Sequence, residues 1–130
     1  MRRVTQIVVT LQNKPGTLAQ LCSTLGKAGV NISAVVAPEI RGRGKIRLLV
    51  DNPDKAKDAL NAPKMRFSEE EAVAVELDNR AGALGEVAEK LAQAKINIKY
   101  AYATATEGSA KATVVLAVPD IAKTLAVLGG

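Results

Sequence analysis

Two short polar loops, one in each half of the chain, carry residue types that can hold a small charged ligand. They read QNKPGTL at residues 12–18 and DNRAGAL at residues 78–84. Each lies between a predicted strand and a predicted helix, where unpaired amides and the positive end of the helix dipole favour a carboxylate. Asparagine adds an amide donor and a carbonyl acceptor. Such a loop offers what the α-carboxylate and α-ammonium of a free amino acid require.

The same residue types also suit a purely structural role. Asparagine in an N-x-x-G loop is common in Asx turns and helix caps, and glycine supplies a positive φ. Asn31 and Asn97 follow predicted helices and are equally compatible with turn positions. The residues alone therefore leave a binding and a structural interpretation open.

The sequence is internally duplicated, because Asn13 falls on Asn79 at a shift of 66 residues that needs no gap. At this shift identical residues coincide in strands, helices and loops alike: Leu11 with Leu77, Gly16 with Gly82, Leu18 with Leu84, Leu25 with Leu91, Ala28 with Ala94, Asn31 with Asn97, and Gly42 with Gly108. Duplication explains this agreement better than chance and predicts two units, 1–68 and 69–130.

Each unit shows the same order of periodicities. Alternating apolar residues in 7–11 and 73–77 predict a first strand, and apolar residues three and four apart in 18–25 and 84–91 predict a helix. Two strands joined by a glycine hairpin follow, and Asn52-Pro53-Asp54 opens a second helix with a cap, a first-turn proline and an acid. Residues 65–67 complete βαββαβ, which predicts an α+β, ferredoxin-like fold with antiparallel sheets and helices on one face. The second unit lacks its own fourth strand, so either its sheet has three strands or a partner supplies the edge.

The loop and the segment after the first helix resemble two motifs of ACT domains, the amino-acid-responsive modules of metabolic regulation. Asn13-Lys14-Pro15-Gly16-Thr17-Leu18 is similar to N-x-P-G-x-L, and residues 29–32 are similar to G-V/I-N-I. The second unit has lost the proline and the glycine before its strand. The resemblance spans nearly the whole chain, is strongest to the serine-sensing domain of phosphoglycerate dehydrogenase, and implies a stand-alone tandem sensor that acts allosterically and is not an enzyme.

In that family the effector lies between two ACT units, which implies a ligand-binding set in this chain. One site would use Asn13, Pro15, Gly16, Thr17 and Leu18 with Asn97, and the other Asn79, Gly82, Ala83 and Leu84 with Asn31. Serine-sensing relatives carry a histidine just before the loop, where this chain has Leu11, so an apolar amino acid is as plausible an effector as serine. The expected partners are a free amino acid and either a second copy or a regulated metabolic enzyme.

Composition excludes several other functions. The chain has no histidine and one cysteine, Cys22, so the ligands of a zinc site are missing and no cofactor or metal is expected. Cys22 is predicted to be a small core residue on the helix stripe, and Tyr100 and Tyr102 to pack on the sheet. The run 69–71 is predicted to be a solvated acidic linker. Without an apolar leader or spanning segment, a cytoplasmic location is expected and no membrane partner.

Two rival interpretations remain. The net charge of +5 and the basic residues Arg41, Arg43, Lys45 and Arg47 suggest RNA binding. Only 2% of residues are aromatic, however, and RNA-recognition modules of this fold stack bases on aromatic side chains, so nucleic acid is not favoured. The second rival is an assembly module that keeps the fold without a ligand, and the sequence does not distinguish it from a sensor.

Overall fold

The computed structural model describes residues 1–12, 14–38 and 42–129, and of Arg43 the backbone alone. No helix in the described part of the chain has the length and apolarity that crossing a bilayer requires. Along these described ranges, six strands and four helices follow one another in the order β1 (Arg2–Gln12), α1 (Thr17–Lys27), β2 (Ile32–Val36), β3 (Arg43–Val50), α2 (Pro53–Asn61), β4 (Phe67–Asp78), α3 (Ala83–Gln93), β5 (Tyr100–Ala105), β6 (Lys111–Ala117) and α4 (Ile121–Val127).

The chain forms two compact units, and the first consists of Thr5–Glu70. Its strands are antiparallel, with β3 between β2 and β1 and with Ile7 opposite Leu48. The odd-numbered apolar residues of β1 meet both helices in one core, as the alternation predicts. This core contains Ile7, Val9, Leu21, Leu25, Val30, Ile46, Leu48, Ala56 and Leu60.

The second unit consists of Met1–Val4 and Glu71–Gly130. It repeats the arrangement, with β6 paired antiparallel to both β4 and β5. Its core contains Val73, Val75, Leu91, Ile96, Val114, Leu116 and Val118. The predicted α+β fold of two tandem ferredoxin-like units is therefore confirmed.

The fourth strand of the second unit comes from the beginning of the chain. Within that unit the start of β1 lies beside β4, and Arg3 Nη1 is 2.5 Å from Glu71 Oε2. In the first unit the equivalent place is taken by Phe67–Glu70, just after Arg66, whose carbonyl accepts a hydrogen bond from Thr10 N (3.1 Å). Each unit thus has four strand segments, although the second unit's own half of the sequence provides three.

The prediction of an acidic linker at 69–71 was wrong, because these residues lie inside β4. Each acid has a basic partner within its own unit: Glu69 pairs with Lys57 (2.6 Å), Glu70 with Arg47 (3.2 Å), and Glu71 with Arg3. Paired charges allow three consecutive acids to be part of a strand. The predicted fourth and fifth strands are consequently one continuous strand.

The second helix of each unit has a side-chain cap, but the two caps differ. Asn52 Oδ1 accepts from Lys55 N (3.1 Å) at the start of α2, as predicted. In the second unit the position equivalent to Asn52 is Val118, which has no acceptor. Asp120 Oδ1 instead accepts from Lys123 N (3.0 Å), and α4 begins two positions later than its counterpart.

The predicted apolar stripe of α1 is only partly buried. Leu21 and Leu25 are fully buried, whereas Leu18 is 43% exposed. Cys22 is also exposed, so its prediction as a core residue was wrong. The 3.6-residue period identifies which residues share a side of a helix, but it does not say how wide a strip the sheet covers.

Candidate functional site

The first loop is a tight turn between β1 and α1. Lys14 N donates to Gln12 O (3.0 Å), and Thr17 Oγ1 donates to Lys14 O (3.0 Å). Gly16 has a φ of 92°, a left-handed conformation that other residues adopt only under strain. Asn13 lies outside the described residues. Pro15 is exposed, and Thr17 is half-buried.

The second loop repeats this geometry. Arg80 N donates to Asp78 O (2.9 Å), and Gly82 has a φ of 87°. Asn79 is held by the β5–β6 hairpin, because its Nδ2 donates to Ser109 O (2.9 Å) and its backbone N to Ala110 O (2.9 Å). These bonds use the backbone N–H and one side-chain N–H of Asn79 and fix its orientation, while its Oδ1 can accept from a ligand.

The helices that follow the two loops start without a side-chain cap. Gly16 and Gly82 occupy the N-cap positions of α1 and α3, and glycine has no side chain with which to accept. Within the described residues, no group accepts a hydrogen bond from the amides of Leu18, Ala19, Leu84 or Gly85. In α2 and α4 a side-chain cap accepts from the third helical amide, Lys55 N or Lys123 N. The equivalent amides of α1 and α3, those of Ala19 and Gly85, have no such acceptor among the described residues. Such amides, at the positive end of the dipole, suit a carboxylate.

Apolar surface lies beside these amides in both units. Leu18 is 43% exposed and its equivalent, Leu84, 47% exposed, whereas Ala83 is buried. In the first unit a cleft of about 150 Å³ opens beside the loop and is lined in part by Thr17, Leu18 and Pro38. The combination of backbone donors and apolar side chains is what an amino acid with an α-carboxylate and a side chain requires.

Asn31 and Asn97 lie far from the loop of their own unit. In the first unit the loop end of the sheet is marked by the pair Gln12 and Arg43, and the opposite end by the pair Ile32 and Val50. Asn31 precedes Ile32, and its backbone exchanges hydrogen bonds with Asp51. Both asparagines are exposed. Within a unit the structure therefore does not bring them to the loop, and their pairing with the loop of another unit stays a prediction.

The second loop is surrounded by paired charges. Lys111 Nζ lies 2.6 Å from Asp78 Oδ1, and Arg80 Nη2 lies 2.8 Å from Glu86 Oε2. The hydrogen bond and charge of Lys111 lower the pKa of Asp78, and Asp78 in turn raises the pKa of Lys111. The hydrogen bond and charge of Glu86 raise the pKa of Arg80. The second loop therefore has its own counterions.

Sequence reasoning missed the groups that hold the second loop. Ser109 acts through its backbone carbonyl, for which residue type gives no signal. The acids had a signal in the duplication, since Asp78 stands where the first unit has Gln12 and Glu86 where it has Gln20. Comparison of the repeats position by position therefore predicts that the two loops differ in charge.

The basic hairpin proposed for RNA gains no support. Arg47 donates to both carboxylate oxygens of Glu70, at 3.2 and 3.4 Å, and is engaged within the sheet. Arg41 lies outside the described residues. Tyr100 and Tyr102 are half-buried on β5.

Comparison with known proteins gives a family. A model described as "ACT domain pair" matches residues 2–127. The crystal structure of protein BT0572 from Bacteroides thetaiotaomicron superposes with a TM-score of 0.91 at 30% identity, over 98% of this chain and 87% of that one. No curated protein matches the sequence.

Two further solved structures share the fold at lower identity. The ligand-free regulatory subunit of aspartate kinase from Thermus thermophilus has a TM-score of 0.67 at 14% identity and covers 99% of this chain and 96% of its own. A structure of aspartokinase alpha and beta subunits has a TM-score of 0.62 at 14% identity, over 98% and 95%. ACT domains generally bind amino acids in regulatory roles. Because the family model spans nearly the whole sequence, this chain belongs to the ACT family and consists of a pair of ACT domains.

Proposed function

We propose that this ACT pair is a non-enzymatic regulatory protein that binds a free amino acid at the loop before α1. The observation that carries the proposal is the difference between capped and uncapped helices. Asn52 and Asp120 each accept from the third amide of α2 and α4, whereas α1 and α3 begin at positive-φ glycines that leave the equivalent amides without a side-chain acceptor. A ligand carboxylate would supply the missing acceptor.

The proposed ligand set joins this loop to a second-strand asparagine. Asn13 would accept from the α-ammonium, and the amides after Gly16 would donate to the α-carboxylate, with Thr17 and Leu18 beside them. Asn97 would complete the site, from a neighbouring unit of the same chain or of a second copy. The equivalent set around Gly82 would use Asn31.

The first loop is proposed as the principal site. Asn79 already donates to Ser109, and Arg80 and Asp78 are bound to Glu86 and Lys111. A ligand at the second loop would have to compete with these contacts. The first loop has Gln12 and Gln20 in place of the two acids, so a ligand there would compete with fewer carboxylates for the basic side chains of the loop.

Regulation would follow from the difference in affinity between two states of the protein. A ligand that bridges a loop and a strand from separate units favours the arrangement that holds both, and it can thereby change an interface with a partner. A regulatory subunit of aspartate kinase shares this fold, and by analogy the proposed partner is a second copy of the chain or a metabolic enzyme.

A panel of the common amino acids, screened by thermal unfolding of the full chain, tests the proposal. A ligand that binds only the folded state raises the melting temperature, and at 100 times its Kd the stabilisation is about 2.7 kcal/mol. Asn13→Ala should reduce the rise, and the matched variant Asn79→Ala should reduce it less. No response to any amino acid would refute the proposal and favour a pure assembly module, and salt-sensitive binding of RNA without such a response would favour the nucleic-acid alternative.

A further inference from the structure

A second cleft touches the first loop from the side of the connection between α2 and β4. It has a volume of about 410 Å³. Three of its lining residues are basic, Lys14 from the loop and Lys64 and Arg66 from the connection. Thr10, Gln12 and Gln20 line it as well, and none of the described lining residues is acidic. The cleft therefore combines three positive charges with neutral hydrogen-bonding groups.

The three cations have no counterion among the described residues. None of them takes part in an ion pair there. The comparable cleft of the second unit, of about 300 Å³, is lined by Asp78 and Glu86, which neutralise Lys111 and Arg80. The two equivalent clefts thus differ in whether their basic residues are neutralised by acidic neighbours, and this difference decides the charge of the ligand that each can accept.

Lys64 has an unusual backbone for a lysine. Its φ is 57°, in the left-handed region, and it is held there by the end of α2, where Lys64 N donates to Asn61 O and Met65 N to Leu60 O, both at 3.0 Å. Glycine or asparagine normally fills such a position because other side chains are strained there. The backbone thus fixes the position of Lys64 on the rim of the cleft.

We infer that this cleft receives a second negative group of the effector, so that the first unit selects an amino acid with an acidic side chain. The inference rests on the proposed function, in which the α-carboxylate binds the open amides after Gly16. The side-chain anion would then lie among Lys14, Lys64 and Arg66. The shared chemistry is a carboxylate or a phosphate on the side chain, represented by aspartate and glutamate on the one hand and O-phosphoserine on the other.

Isothermal titration of the full chain with pairs of equal size tests this. Aspartate and glutamate should bind at least tenfold more tightly than asparagine and glutamine, which is about 1.4 kcal/mol, and the ratio should fall with added salt. If the side-chain group is instead a phosphate, O-phosphoserine should exceed serine by the same factor and the dicarboxylates should not exceed their amides. Either pattern supports the inference.

Variants locate the selectivity in the cleft. Arg66→Gln and Lys64→Gln should lower the acid-to-amide ratio towards one while the affinity for the neutral amino acid is kept. Lys27→Gln removes the same charge from the last turn of α1 and should leave the ratio unchanged. Acidic ligands that bind no better than neutral ones, or a ratio that falls as far with Lys27→Gln, would overturn the inference and leave the amino-acid site intact. Binding of no amino acid would overturn both.

Discussion

Lys95 and Gly29 occupy equivalent positions in the two units and allow a stability prediction in which replacing lysine by glycine and glycine by lysine have opposite effects. Each residue follows the C-cap of the first helix of its unit, Ala94 or Ala28, and each has a left-handed φ, 59° for Lys95 and 77° for Gly29. The backbone therefore demands at both places what glycine provides and lysine does not. We expect Lys95→Gly to stabilise the protein and Gly29→Lys to destabilise it.

The size of the effect follows from two opposing terms. A residue with a side chain pays about 1–2 kcal/mol in the left-handed region, whereas glycine loses about 0.5–1 kcal/mol more chain entropy on folding. The difference predicts a gain of about 0.5–1 kcal/mol for Lys95→Gly. Gly29→Lys should cost at least as much, because a Cβ at Gly29 would lie 3.3 Å from Lys55 Nζ, which must move slightly.

Urea unfolding of the full chain, analysed with a common slope, measures both changes in the free energy of unfolding. Lys90→Gly is the matched control. Lys90 lies inside α3, where glycine should cost up to about 1 kcal/mol, so the control shows that glycine does not stabilise in general. A Lys95→Gly protein that unfolds at lower urea concentration than the parent would refute the conformational argument.

Four further predictions follow from the caps, the core, the ion pairs and the thiol. Asn52→Ala should lower the free energy of unfolding by about 1 kcal/mol, and Asn52→Asp should not, since aspartate can also cap; equal losses in urea unfolding would contradict this. Leu91→Ala, at a fully buried position, should cost about 2–5 kcal/mol by the same measurement, and a loss below 1 kcal/mol would show that the site is not tightly packed. Because Lys111 lowers the pKa of Asp78, the stability that this ion pair contributes should be fully present above the ordinary carboxyl pKa of about 4 and should disappear as the pH falls through the lowered pKa. Asp78→Asn and the parent should therefore differ in free energy of unfolding near neutral pH and converge in acid. A difference that persists in acid would refute this. Cys22 should react with a thiol reagent without denaturant at nearly the rate of the unfolded chain, since it is exposed, and strong protection would contradict the structure.

Local signals gave the elements and several of their ends correctly. The helix start at Asn52 and the turn at Gly29 depend on one or two residues and their immediate neighbours, so residue type was enough. The duplication supported each assignment a second time. The strand order followed because the ferredoxin-like connection leaves few alternatives.

Features that depend on distant residues were not predictable in this way. The exposure of Leu18 and Cys22 depends on where the sheet ends beneath α1. The inclusion of residues 69–71 in β4 depends on basic partners that are distant in sequence, namely Lys57, Arg47 and Arg3. At the candidate site, the sequence predicted a loop before α1 and before α3 and the positive φ of the glycine in each, while the binding role of these loops stays a prediction. The sequence did not identify the bond from Asn79 to Ser109, because a backbone carbonyl is the same in every residue.

The strand segment at Met1–Val4 affects how the second domain can be produced and how it folds. These four residues are synthesised before the first unit, yet they belong to the unit whose other residues follow it. That unit can therefore be completed only after residues 71–130 have been made, and it must then recruit a segment some 70 residues upstream. A fragment that starts at residue 69 would leave that edge of β4 without its neighbour and open to pairing with other molecules. Joining residues 1–4 to its C-terminus through a flexible linker is the direct way to make this domain self-sufficient.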